Sequence, residues 1–129
     1  IFVFVGLNDC GFGAKLAPTC EAEKGDLTVF SEAYGAMLTK LITNYPRAAV
    51  WCLTLPQGLT DGYAPTQAAR ERAAAYSRII AACAAAHGCR VADICGMEPY
   101  DSRVGLHPTA EGMKQLAAAV LAALREAER

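Results

Sequence analysis

No stretch of this sequence is apolar for long enough to cross a bilayer. The longest run, Leu116 to Leu124, has nine residues, against the roughly 20 that a spanning helix needs. No charge of one sign dominates either. Twelve Lys and Arg stand against thirteen Asp and Glu, for a net charge of −1. That balance gives no basic stripe for nucleic acid and no polybasic patch for a membrane, so neither is expected as a partner. A Gly-x-Gly-x-x-Gly or P-loop lysine motif is missing, which argues against a nucleotide-binding domain. Serine is scarce: Ser31, Ser77 and Ser102 are the whole supply. The first two fall within helical patterns, and none sits at a strand-to-turn elbow where a nucleophile belongs. No basic n-region of a signal peptide precedes Ile1, and the sequence opens inside an apolar run, as if inside a strand.

What is present suits one globular domain over residues 1–129, with 53% hydrophobic residues to build a core. Six cysteines are many for this length. Most are expected to serve as small buried hydrophobes, Cys52 within a strand and Cys83 on the apolar face of a helix. If a disulfide forms, Cys10 with Cys20 across one loop is the first choice. Cys83, His87, Cys89 and Cys95 lack the paired Cys-x-x-Cys knuckles of a structural zinc site, so no metal or cofactor is expected.

The hydrophobic pattern alternates between short apolar runs and helical periodicity. Ile1 to Val5 reads as a fully buried strand ended by Gly6, followed by a loop over 10–27. A helix then starts near Thr28, its expected N-cap. Phe30, Ala33, Tyr34, Met37, Leu38, Leu41 and Ile42 form one apolar face, and Asn44-Tyr45-Pro46 stops it. Ala48 to Thr54 is a second strand and 56–65 a loop. Thr66 caps a long helix with Ala69, Ala73, Tyr76, Ile80, Cys83 and Ala84 on its inner line. This helix reaches about His87, which sits near the negative end of the dipole, with Gly88 as the stop. Cys89 to Ile94 is a third strand and 95–108 a loop. Thr109 caps the last helix, with Glu111 in its first turn and Met113, Leu116, Ala117, Val120, Leu121 and Leu124 toward the core. The order β-α-β-α-β-α means an α/β fold with a parallel sheet, whose ligand crevice lies beyond the carboxyl ends of the strands.

Two short stretches reach that edge. Gly6-Leu7-Asn8-Asp9 follows the first strand, and Gly105-Leu106-His107-Pro108-Thr109 precedes the last helix. An amide can donate to an oxyanion that develops in acyl transfer. An imidazole titrating near neutrality can take a proton and return it. Each stretch also has an ordinary reading, as turn chemistry at Asn8-Asp9 and as a capping loop at His107. Asp9 is expected to bond loop backbone.

Together these blocks resemble the SGNH (GDSL-type) hydrolase family. Gly6-x-Asn8-Asp9 is similar to its third block, and His107-Pro108-Thr109 to its fifth. Tyr45-Pro46 to Pro56 looks like the strand between them. The resemblance implies a three-layer α/β/α sandwich of flavodoxin-like type, of which this chain is the later part, with the N-terminal strands supplied by a missing N-terminal part of the same domain. It implies a serine ester hydrolase acting on a small-molecule or carbohydrate ester. Asn8 would donate to the oxyanion, Gly6 would let the chain turn beside the substrate, and His107 would be the general base; apart from the resemblance, the place of Cys10 near Asn8 makes it a candidate substrate-binding residue. Two departures matter. The family's Gly-Asp-Ser block is absent, which places the nucleophile upstream of Ile1. Val104 stands where the family has Asp three residues before its histidine; Asp101, three residues further back, is one candidate replacement, a backbone carbonyl that leaves a dyad is another, and lost activity is the third outcome. A catalytically inactive binding module on the same fold is the alternative. A cysteine acyl-transfer enzyme using Cys10 is the third reading.

Overall fold

The computed structural model describes residues 1–17, 20, 26–57, 66–103 and 107–129. Strands β1 (Phe2–Val3), β2 (Trp51–Leu53) and β3 (Arg90–Ala92) form one sheet in the order β1-β2-β3, parallel throughout. Phe2 pairs with Trp51 and Val3 with Cys52, and on the far side Cys52 pairs with Val91. The fold is α/β with a parallel sheet, as the alternation predicts. The ladder strands are two or three residues long.

Helices α2 (Phe30–Asn44) and α3 (Gln67–Ala86) pack on one another, and α3 lies on β2 and β3. Every position of the expected inner line of α3 is buried. So are Phe30, Tyr34 and Leu38 of α2. Thr66 caps α3 by accepting from the Ala69 amide at 3.1 Å. At the other end His87 is the C-cap, and its Nδ1 donates to the Cys83 carbonyl at 2.8 Å. Gly88 then takes a left-handed φ of 66° that stops the helix. The cap of α2 is displaced from Thr28 to Val29. The Thr28 hydroxyl and amide are both committed to the Asp26 carboxylate instead, a local turn that outcompetes the helix.

Three further expectations are corrected. The strand at the start is not fully buried: Val3 faces the core, while Ile1, Phe2, Phe4 and Val5 are exposed. The last helix, α4 (Ala110–Ala127), packs on β3 but buries only part of its apolar stripe. Leu116 is inside, whereas Met113, Ala117 and Leu121 are exposed. Finally, the disulfide joins Cys20 to Cys83, with Cα atoms 5.4 Å apart, and not Cys10 to Cys20. The reason is local. Cys10 turns inward into the core cluster, while Cys20 itself lies against Gly35 of α2 and Cys83 of α3. The Cys20 carbonyl crowds Gly35 so closely that any Cβ there would collide at 2.4 Å.

Candidate active site

The chain leaves β1 through Gly6 and at once forms a short helix, α1 (Leu7–Phe12), where a loop was expected from residue 10. Gly6 has φ 108°, a region L side chains avoid, and a Cβ there would lie 3.0 Å from the Phe30 ring. The missing side chain therefore makes room for Phe30 as much as for any substrate. Gly13 closes α1 with φ 70°. The helix is pinned from α3: the Tyr76 hydroxyl reaches the Asp9 carbonyl at 3.0 Å and also the Ala14 carbonyl. Burial holds the Tyr76 phenol above its ordinary pKa, so it remains a donor. Sequence reasoning missed this tyrosine as a positioning group, because its place on the inner line of α3 already explained it.

On α1, Asn8 and Asp9 are exposed and Cys10 is buried. Asn8 thus sits on the open face of a helix fixed at the carboxyl end of β1. Asp9 contributes its backbone carbonyl to the Tyr76 contact and to the cap at Gly13-Ala14. Cys10, expected beside the site, belongs to the core, so the cysteine-nucleophile reading finds no accessible thiol there.

The segment that leaves β3 ends in a small antiparallel hairpin, β4 (Ser102–Arg103) with β5 (His107–Pro108), placed within what was expected to be a loop. Arg103 faces His107 and Ser102 faces Pro108. Successive strand residues point to opposite faces, so Ser102 lies on the other side of the hairpin from His107. His107 is exposed. Val104 lies outside the described residues. The hairpin is closed by Asp101. Its carbonyl accepts from the Thr109 amide at 3.1 Å, its carboxylate from the Thr109 hydroxyl, and its amide donates to Gln115 Oε1 at 2.6 Å. Among the described residues no hydrogen bond joins Asp101 to His107. Thr109 also caps α4, accepting from the Gly112 amide at 3.2 Å.

Between these two segments lies the carboxyl end of β2. Thr54 Oγ1 donates to Asp93 Oδ1 at 2.6 Å and accepts from the Ile94 amide at 2.8 Å, which ties the exits of β2 and β3 together. A groove of about 380 Å³ opens between these exits and α3, bordered by Thr54, Gln57, Ser77, Arg78, Asp93 and Cys95, and no residue of α1 or of β4 and β5 lines it. The structure brings Gly6 with Asn8 on α1 and Asp101 with Thr109 at the hairpin. The first group packs on α3 and the second on α4. Two serines are spent on structure: Ser31 Oγ accepts from the Ala17 amide, and Ser77 Oγ from that of Leu55. Among the described residues no cluster of three His, Cys, Asp or Glu could hold a metal, and no helix is long and apolar enough to cross a membrane.

The strand–helix alternation and the parallel sheet define an α/β protein, with an amide and an imidazole on segments that follow β1 and β3. The model of the GDSL-like lipase/acylhydrolase family matches residues 1–115, and the chain belongs to that family. No curated protein matches it in sequence. Among solved structures it is similar to a Bacteroides ovatus protein described as a GDSL-like lipase, with 24% identity and a TM-score of 0.68. That likeness covers 98% of this chain and 53% of the other, so the chain spans about half of that protein's length.

Proposed function

We propose that this chain carries the oxyanion donor and the general base of a serine ester hydrolase, with the nucleophilic serine upstream of Ile1. The observation that carries this reading is the placement of Asn8 and His107 at exposed positions on the two segments that follow β1 and β3. Family membership supports it. A serine elsewhere in the protein is supported by the use made of those within the chain. It is supported too by the outer edge of β1, which has no partner among the described residues and is flanked by exposed Phe2 and Phe4. Such an edge normally pairs or is blunted. The missing N-terminal part of the same domain is the partner proposed for it.

In this mechanism His107 takes the serine proton as the oxygen attacks the ester carbonyl. The carbonyl π electrons move onto oxygen, and the Asn8 side-chain amide donates to that oxyanion. Collapse breaks the bond to the alcohol, which leaves with the proton from His107. Water then repeats the sequence on the acyl-enzyme and releases the acid. The substrate is a small or carbohydrate-linked ester, such as an acetyl ester. The engagement of Asp101 with Thr109 favours a dyad, or the second reading of an inactive binding module, over a complete triad.

The test is hydrolysis of a short-chain aryl ester by the full-length protein. Asn8→Ala should cost about 10²–10³ in kcat. His107→Ala should remove nearly all turnover and leave the melting temperature unchanged, since an exposed hairpin residue adds little to the core. Full-length protein that contains its upstream serine yet turns over no short acyl ester would establish the binding module instead.

A further inference from the structure

The face of α1 that carries Asn8 also carries a side chain that the core does not explain. Phe12 is 91% exposed, more than any other large hydrophobic residue described. Its helix is otherwise well seated, with Cys10 buried and Leu7 packed against the core. Residues four apart on a helix are neighbours. Side chains also lean toward the helix N-terminus, which tilts the Phe12 ring back over the turn that bears Asn8. The ring is bordered by two glycines. A Cβ at Gly11 or at Gly13 would meet nothing within 4 Å. Gly13 is required by its positive φ, but Gly11 has neither a positive φ nor a close neighbour. A glycine there weakens the helix relative to alanine, and the surface around Gly11 is open.

We infer that Phe12 is a specificity-determining residue whose ring receives an apolar group of the ester held by Asn8. This rests on the ester-hydrolase reading above and names the part of the substrate that the site selects. Asn8 and Phe12 are separated by slightly more than one helical turn, roughly 6 Å along the axis. An acetyl group held at Asn8 is too short to cover that distance. An acyl chain on the order of four carbons or longer, or an aryl-bearing alcohol, reaches the ring. The contact needs no charge and no metal, because both partners bury apolar surface.

The experiment uses full-length protein, wild type and the variants Phe12→Ala and Phe12→Leu, on two substrate series. One lengthens the acyl group from ethyl acetate to ethyl hexanoate. The other keeps the acetyl group and changes the alcohol from ethanol to 2-phenylethanol. The readout is kcat/KM for each long member relative to ethyl acetate, followed as acid release. Phe12→Ala should lower that ratio about tenfold in one series, through KM, with Phe12→Leu between it and wild type. Selectivity lost in the first series places the acyl group on the ring, and in the second the alcohol. An equal loss on ethyl acetate and the long esters would overturn the inference, as would an unchanged ratio in both series. A uniform loss with a lowered melting temperature would show that the ring packs against protein, and overturns it too. Wild-type protein inactive on every ester removes the ester-hydrolase reading itself, and this inference with it.

Discussion

Alanine in place of glycine should act with opposite signs at two helical positions of this chain. Helix propensity alone says that Gly→Ala stabilises by about 0.5–1 kcal/mol. At Gly11 nothing opposes it, since the new Cβ meets no atom within 4 Å, and Gly11→Ala should gain that amount. At Gly112, in the first turn of α4, the new Cβ would lie 1.9 Å from the Asp101 carbonyl oxygen and 3.1 Å from Pro108 Cβ. The carbonyl must retreat by about 1 Å to reach the closest approach that real Cβ atoms tolerate. That carbonyl closes the hairpin on the Thr109 amide, and the Asp101 amide is tied to Gln115. Loosening this bond costs about 1 kcal/mol, and a strained backbone adds about 1–3 more. We expect Gly112→Ala to be destabilised by roughly 2 kcal/mol net, after the propensity gain is deducted. Because His107 rides on the same hairpin, a shift of that size should also cost about 10²-fold in esterase kcat. Urea unfolding with a constant m value, alongside ester hydrolysis by the full-length protein, measures both. Equal or greater stability with undiminished activity for Gly112→Ala would refute the claim that α4 entry is packed this tightly against the hairpin.

Reducing the Cys20–Cys83 bond, which closes a loop of 63 residues, should lower stability by roughly 4 kcal/mol on the chain-entropy argument; urea midpoints with and without reductant test it, and Cys10→Ser should leave the reductant effect intact. Burial raises the pKa of the Cys52 and Cys89 thiols and of the Tyr34 phenol. The folded state therefore holds these protons after the unfolded chain has lost them, so the contribution of these groups should be constant below the ordinary thiol value of 9.0 and stability should fall as pH rises above it, which thermal melts across that window would show. Val104→Asp in the full-length protein should raise turnover about tenfold or more if the imidazole lacks an orienting carboxylate, and unchanged kcat would mean that another group already serves.

Long-period features were legible in the sequence, and short local competitions were not. The lines of α2 and α3, the caps at Thr66 and Thr109 and the parallel β-α alternation rest on many residues agreeing over fifteen or more positions. The six-residue α1 has too few positions to show a period, and the Asn8-Asp9 pair reads equally as a turn. Gly13, standing just after its last residue, was the available signal. The burial of the first strand and of α4 was overestimated because an apolar residue shows only that a face can be covered. No described residue covers Phe2, Phe4, Met113 or Leu121. Disulfide pairing failed for a different reason. Loop proximity favoured Cys10 with Cys20, but the bond depends on which way each cysteine faces, and the inward turn of Cys10 is a property of α1. The candidate site residues were legible as chemistry, while the diversion of Asp101 to Thr109 depends on a hairpin register that spacing alone does not encode.

The way α1 is held has an evolutionary consequence. Its inward side is constrained by Phe30 against Gly6, by the burial of Cys10 and by the Tyr76 hydroxyl, which grips backbone carbonyls and is indifferent to the side chains above them. Its outward positions, Asn8, Asp9, Gly11 and Phe12, bear no such load. Mutations at Gly11 and Phe12 can accumulate at little risk to folding while the amide at Asn8 keeps its place. A lineage built on this scaffold could therefore change the outward face of the short helix in single steps, with α1 as the part that drifts and α3 as the part that does not.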